Sequence, residues 1–253
     1  MSEPTLTELM DRQEELCEEL SARLYDDGPI GKTIQHPLVH EISYHPFMNA
    51  VYNFRLQKKK EAIQQAIATK DWIKAVVLHE RPWRINALHE IMLHGYIDDP
   101  AEYWPVLVEF WIDSENIHQN YDLWIDLWSA EDMGCPRQHG MGESELATLA
   151  ALPEEITVYR TVACEEYANG LSWTLDLDVA IGVFARHPNV LVHRDGAKLI
   201  TGKLRKDDVL VYLDTRDEAE IVVLPDTVEI VDVRDIEQTE IEKSVKVIRA
   251  RRE

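Results

Sequence analysis

The feature that most constrains the fold is a change in hydrophobic periodicity near the middle of the chain. Before residue 133, apolar residues recur every three or four positions, as in RINALHEIMLHGYI and NYDLWIDLWSAE, which is the spacing of helices. After residue 145, they form short β-branched runs such as ITVYRTV, VLVYL and VEIVDV, which are typical of strands. Because helices and strands are segregated and do not alternate, the sequence predicts an α+β protein.

The segment between the two patterns has a different composition. Residues 133–144 read MGCPRQHGMGES, where glycine, proline and small polar residues favour a loop. We therefore predict a helical domain over 1–132, a linker over 133–145 and a domain built on a mixed or antiparallel sheet over 146–253.

Two long helices are expected in the first half. Thr5 and Glu8 fit a capping box that begins a helix running toward Gly28. A second helix is predicted over 58–80, ending before Pro82. In the second half, one helix is expected from about Leu177 to Arg186, with further strands at NVLVHR and AEIVVLP and a tail that is either a strand or frayed.

Composition bounds the class of protein. The net charge of the 253 residues is −21, which disfavours nucleic-acid binding and leaves open an acidic decoy for a DNA-binding partner. No apolar run has the length of a membrane span, no signal peptide opens the chain, and three dispersed cysteines resemble reduced thiols. These features predict a cytoplasmic protein.

No metal is expected, since His89 and His94 are five residues apart and cannot share a metal on one helix face.

Three motifs in the second half are candidates for chemistry. They are Arg160 in VYR, Ser172 in GLSWT, and Glu218 with Glu220 in RDEAEIVVLP. Each alone has an ordinary structural interpretation: an arginine that extends to solvent, a serine near a helix start, and carboxylates on a solvent face. Their occurrence together and in this order is more specific.

The ordered motifs resemble the arginine–serine–glutamate class of ADP-ribosyltransferases, which includes cholera-toxin-like toxins, clostridial binary toxins and several phage enzymes. The resemblance covers roughly residues 156–233 and implies a phage or bacterial, toxin-like transferase of the glycosyltransferase class. It implies NAD as the substrate and an ADP-ribosyltransferase-like sheet. The expected activity is mono-ADP-ribosylation of an unidentified protein acceptor on arginine. Trp173 departs from the usual threonine, and the loop before Glu218 is short, with Tyr212 as its nearest aromatic residue.

The resemblance also implies roles for individual residues. Arg160, Ser172 and Thr174 would bind NAD, because a guanidinium offers forked donors to phosphate oxygens. Glu220 would stabilise the cationic sugar that forms as nicotinamide leaves, with Ser172 orienting Glu220. Glu218 would accept a proton from the incoming nucleophile. Two alternatives stay open: an NAD glycohydrolase, and a non-catalytic acidic protein that binds or mimics another molecule.

Overall fold

The computed structural model describes residues 3–114, 117–183 and 197–252. Within these residues the chain is α+β, with helices mainly in the N-terminal part and two antiparallel sheets of three and six strands, which confirms the predicted class. The chain forms two compact units. The first holds the residues up to Asp98 together with Glu109–Leu123, and the second holds Asp99–Val108 and the chain from Trp124. These bounds differ from 1–132 and 146–253, and the division of the chain into those two domains with a linker over 133–145 stays a prediction.

The first unit combines helices with a small sheet that the periodicity did not predict. Its core contains Leu20, Ile34, Val39 and Tyr52. The helices are α1 Leu6–Met10, α2 Glu18–Ser21, α3 Asn49–Ala68, α4 Trp72–Val77 and α5 Arg84–Leu93, and α6 Pro100–Asp113 contributes residues to both units; the strands are β1 Leu24–Asp26, β2 Lys32–His36 and β3 Val39–Glu41, in the order β1-β2-β3.

The expectation of one long N-terminal helix is wrong. The capping box is present, with Glu8 N donating to Thr5 Oγ1 over 3.3 Å and Thr5 N to Glu8 Oε2 over 2.7 Å, but α1 ends at Met10. Side chains of α3 bind the backbone of residues 14–17, which follow α1. Asn53 Oδ1 accepts from Cys17 N over 2.9 Å, and Asn49 Nδ2 donates to Glu14 O over 3.1 Å. These tertiary hydrogen bonds replace the helical ones.

The second predicted helix is two helices. Lys70 has a φ of 54°, outside the helical region, and Asp71 caps the new helix by accepting from Lys74 N over 3.2 Å. The three lysines at 58–60 in α3 each pair with a carboxylate, as befits a solvated helix face.

The second unit is built on the six-stranded sheet. Its strands are β4 Glu155–Val162, β5 Ser172–Thr174, β6 Lys198–Arg205, β7 Val209–Leu213, β8 Glu220–Val223 and β9 Glu229–Asp235, in the antiparallel order β7-β8-β5-β4-β6-β9. The helices are α7 Tyr121–Trp128 (shared with the first unit), α8 Arg137–Gly140, α9 Glu143–Ala151, α10 Leu177–Gly182 and α11 Gln238–Arg252. Strand β6 was not predicted, and NVLVHR at 189–194 lies outside the described residues.

The helix α10 begins as predicted at Leu177, with Asp176 as its N-cap, and the predicted continuation to Arg186 lies outside the described residues beyond Val183. The tail forms α11, so its expected strand or frayed state is wrong. Ser244 Oγ donates to Asp178 Oδ1 over 2.8 Å, and Arg251 pairs with Asp176 and Asp178. Packing against α10 therefore orders a segment whose own apolar pattern is weak.

The residues predicted as a linker contact β7. Arg137 in α8 donates from Nε to Val209 O over 2.8 Å and from Nη2 to Lys206 O over 2.7 Å, and Gly140 and Met141 are buried.

Among the described residues, no helix is long and apolar enough to cross a membrane.

Candidate active site

Strand β5 brings the predicted site residues together because it lies between β4 and β8. Thr174 is opposite Tyr159 on β4 and opposite Glu220 on β8. Directly opposed residues of antiparallel strands share a face of the sheet, and so do residues two apart on one strand. One face of the sheet therefore carries Tyr159, Ser172, Thr174 and Glu220. Thr161, two residues after Tyr159 on β4, lies on the same face, and its Oγ1 donates to Ala180 O of α10 over 2.6 Å. Helix α10 therefore covers this face.

Arg160 occupies the place where β4 and β5 separate. Among the described residues, Tyr159–Thr174 is the registered pair that joins these strands, and Arg160 follows directly after it. The guanidinium donates from Nη1 to Ser172 O over 2.6 Å and from Nε to Tyr167 O over 3.4 Å. The arginine side chain thus binds the Ser172 carbonyl where the β4–β5 pairing has ended, and the Tyr167 carbonyl in the segment between the two strands.

Ser172 connects Arg160 to Glu220. Its carbonyl accepts from Arg160, and its hydroxyl Oγ donates to Glu220 Oε1 over 2.5 Å. Both side chains of the serine–glutamate pair are partly buried. Motifs 60 residues apart are thereby joined in one series of hydrogen bonds, Arg160 to Ser172 to Glu220. Because Arg160 directly follows Tyr159 in β4, its side chain leaves the sheet on the opposite face from Glu220 and joins the series through the Ser172 backbone carbonyl.

Thr174 is held by the backbone around it. The residue is 0% exposed, and its hydroxyl donates to Glu218 O over 2.6 Å and accepts from Asp176 N over 3.0 Å. The single hydroxyl proton is used in the first of these bonds. In this arrangement Thr174 links the end of β5, the start of α10 and the segment before β8, and its direct binding of NAD stays a prediction.

Glu218 lies outside strand β8, which begins at Glu220. Ala219 has a φ of 45°, its N–H donates to Asp214 Oδ1 over 3.1 Å, and its carbonyl accepts from Leu175 N over 3.0 Å. A residue in the left-handed region interrupts the two-residue alternation of a strand. The expectation that Glu218 and Glu220 share a strand face is therefore wrong, although both are partly exposed at the end of the sheet.

The turn between β7 and β8 is short and anchored. Asp214 N donates to Glu145 Oε1 of α9 over 3.1 Å. Tyr212, the aromatic residue nearest this turn, is 5% exposed; burial first, and then the neighbouring Asp214 carboxylate, raise the pKa of its phenol to about 12. Tyr212 is a neutral, buried part of β7 and is not displayed to an acceptor.

The segment from Cys164 to Leu171 holds a residue that sequence reasoning missed. Gly170 lies against the Arg160 guanidinium, and its carbonyl accepts from the buried indole Nε1 of Trp173 over 2.7 Å. Gly202 on β6 lies beside the Trp173 ring and against Val228, because a Cβ atom there would be 3.3 Å from Trp173 Cζ3 and 2.3 Å from Val228 Cγ1. The available signal was the glycine two positions before Ser172, which marks close approach of backbone and side chain.

Within this segment, the pKa values of one thiol and one phenol are raised, which favours their neutral forms. Burial, followed by a hydrogen bond to Glu166, raises the pKa of the Cys164 thiol, and the Glu166 carboxylate raises the pKa of Tyr167. Across the residues that the structure describes, no three histidine, cysteine or acidic side chains come together in a way that could hold a metal ion.

Comparison with known proteins identifies no relative. No protein-family model matches the chain, and neither a curated protein nor a solved structure is significantly similar to it.

Proposed function

We propose that the protein is an NAD-dependent mono-ADP-ribosyltransferase that modifies arginine on a protein acceptor and releases nicotinamide. The observation that supports this proposal is the hydrogen-bonded series Arg160–Ser172–Glu220. It joins a cation suited to phosphate, an orienting hydroxyl and a carboxylate suited to a developing positive charge.

The residues present fit NAD by their chemistry. A guanidinium carries five N–H donors in a planar fork, so one arginine can bind carbonyls of its own chain and also contact phosphate oxygens. Arg160 would hold the pyrophosphate. Ser172 would act through Glu220, whose carboxylate it fixes by donating a hydrogen bond.

The reaction breaks the bond between the nicotinamide nitrogen and the ribose, and the electron pair of that bond leaves with nicotinamide. Positive charge then develops on the sugar, and the Glu220 carboxylate stabilises it. A guanidine nitrogen of the acceptor forms the new bond to the ribose and loses a proton. Glu218, in the turn before β8, would accept that proton.

A second candidate is NAD glycohydrolase, in which water replaces the acceptor. The observation that favours it is the short turn between Leu213 and Glu220, which offers little surface for recognising a protein. The two activities share the first bond cleavage and differ in what captures the sugar.

The test is incubation of the protein with NAD labelled in the ADP-ribose part, with and without a cell lysate, measuring free nicotinamide and labelled protein. We expect both products with wild type, with labelled arginines mapped by mass spectrometry. Glu220→Gln keeps the shape but loses the charge, so both should fall by about a hundred-fold or more. Glu229→Gln, on an exposed residue of β9, is the matched control and should behave as wild type.

Three outcomes discriminate between the possibilities. Nicotinamide release without labelled protein would support the glycohydrolase. No turnover of NAD at all would support a non-catalytic acidic binding protein. Near-normal turnover by Glu220→Gln would contradict the role given to Glu220.

A further inference from the structure

Gly170 has no room for a side chain, and the obstacle is the Arg160 guanidinium. A Cβ atom on Gly170 would lie 2.4 Å from Arg160 Cζ, 2.5 Å from Nη2 and 2.8 Å from Nε. A Cβ atom, which makes no hydrogen bond, does not approach another heavy atom this closely in folded proteins. The φ of Gly170 is not in the left-handed region, so a backbone requirement does not explain the glycine.

The backbone around Gly170 is anchored by several hydrogen bonds. The carbonyl of Gly170 accepts from Trp173 Nε1 over 2.7 Å, and Leu171 O accepts from Val223 N over 2.9 Å. Asn169 and Asp226 bind each other reciprocally, with Asp226 N donating to Asn169 Oδ1 over 3.0 Å. A Cβ at position 170 would therefore displace the flexible end of Arg160 more readily than the backbone.

Displacement of the guanidinium would break its contacts with the site. Nη1 of Arg160 donates to Ser172 O, and Ser172 is the residue whose hydroxyl holds Glu220. The missing side chain at position 170 is thus what permits the guanidinium to lie flat against the backbone and reach the gap between β4 and β5.

We propose that Gly170 is a positioning residue: by lacking a side chain, it holds the Arg160 guanidinium where it binds the Ser172 carbonyl and faces the pyrophosphate of NAD. The part of this statement that concerns NAD rests on the proposed function. The contact between Gly170 and Arg160 is independent of it, and the two parts can be tested separately.

The experiment is a double-mutant cycle with Gly170→Ala and Arg160→Lys, measuring the urea midpoint of unfolding and the dissociation constant for NAD by calorimetry. A lysine keeps the charge but lacks the planar fork that the alanine Cβ would meet. In the wild-type background, Gly170→Ala should weaken NAD binding by about ten- to a hundred-fold, the range for losing a charge-assisted contact. In the Arg160→Lys background, the same change should alter affinity by less than about twofold, because coupled residues are not additive.

The unfolding midpoint should show the same non-additivity without NAD, with a larger decrease from Gly170→Ala when Arg160 is present. Gly142→Ala is the matched control, since its Cβ would meet only Glu145 Oε2, at 3.7 Å. Additive effects in both measurements would overturn the proposal. If wild type binds no NAD, the proposed function fails, and the unfolding cycle alone decides the role of Gly170.

Folding of the variants is also informative. If Gly170→Ala does not fold but Gly170→Ala combined with Arg160→Lys does, the clash with the guanidinium is established and the proposal stands. If neither variant folds, the obstacle at position 170 is something other than Arg160, and the proposal is overturned.

Discussion

At the scale of single residues, the side chains of the candidate site that we propose for the reaction also hold the sheet together. Arg160 fills a gap in the sheet, and Ser172 uses its carbonyl for the arginine and its hydroxyl for Glu220. Groups held by such bonds do not need to reorganise when charge develops in a reaction. The same bonds give partners to polar atoms that are partly withdrawn from solvent.

Glu218→Gln separates the two carboxylates by function. Glu220 begins β8 and binds Ser172, while Glu218 lies in the turn, so only Glu220 should be needed to break the nicotinamide bond. We expect Glu218→Gln to retain slow NAD hydrolysis and to lose transfer to protein arginine, because guanidine must lose a proton as it attacks. The measurement is nicotinamide release against label on a mapped acceptor.

Glu229→Gln serves again as the control for this substitution. Unchanged activity of Glu218→Gln in both assays would mean that Glu218 merely faces solvent. Loss of both activities would mean that the two carboxylates act together, and the separate role of Glu218 would have to be abandoned.

At the scale of elements, the edge strand β7 is covered by the short helices α8 and α9. Arg137 is the main connection: it donates to Val209 O, Lys206 O and Asp207 O over 2.7–2.8 Å. Tyr212 N also donates to Met141 Sδ over 3.2 Å. The bonds to Val209 O and Tyr212 N use backbone groups of the edge strand, which would otherwise be open to pairing with another chain, and those to Lys206 O and Asp207 O hold the turn before it.

Arg137→Ala should destabilise the second unit. Three carbonyls would lose a charged donor, and such bonds contribute more than neutral ones, so we expect the free energy of unfolding to fall by about 2–4 kcal/mol. Urea denaturation followed by tryptophan fluorescence measures the change. Arg205→Ala is the control: its side chain is 75% exposed and pairs with Asp207 at 3.4 Å, so its loss should cost less than about 0.5 kcal/mol. An Arg137→Ala effect as small as that of the control would show that α8 is not held through this residue.

At the scale of the whole molecule, repulsion among acidic side chains is the dominant long-range electrostatic effect. The chain carries 47 acidic and 26 basic side chains. Many ion pairs are exposed, such as Lys58–Glu3 and Lys203–Glu155, and exposed pairs contribute about 0–1 kcal/mol each. The excess of negative charge destabilises the compact state through self-repulsion.

Added salt should therefore stabilise the protein. Raising NaCl from about 20 mM to about 200 mM shortens the Debye length to below about 10 Å and screens the repulsion. We expect the free energy of unfolding in urea to increase over this range, with KCl giving the same result as a control against a specific effect of sodium. A decrease would mean that the exposed ion pairs outweigh the repulsion.

Much of the sheet could be predicted from local pattern because its strands are short, β-branched and bounded by polar residues. VLVYL is predicted as a strand, and the structure has it as Val209–Leu213. The capping box of Thr5 and Glu8 is present for the same reason: it depends only on residues three apart. Strand β6 was missed because Gly202 and three basic residues interrupt its apolar pattern.

The candidate site was predictable only as a set of residue types. Arg160, Ser172 and Glu220 stand in an order that resembles a known class, but their hydrogen bonds depend on the pairing of β5 with β8. The contacts of Thr174 and Gly170 could not be predicted from the sequence pattern, because they join residues that are far apart in the chain or on different elements. The hydroxyl of Thr174 is committed to Glu218 O, and Gly170 matters through a guanidinium ten residues earlier in the chain.

The sequence by itself determined the α+β class and most strands of the large sheet, because these follow from apolar periodicity within a few residues. Tertiary structure decided where the N-terminal helix stops, since Asn49 and Asn53 bind the backbone at 14–17. It also decided that the tail is helical, since α11 packs on α10 through Ser244 and Arg251. The physical reason is the same in both cases: a backbone group or a weakly patterned segment takes the partner that lies nearest in space, and local sequence does not encode that partner.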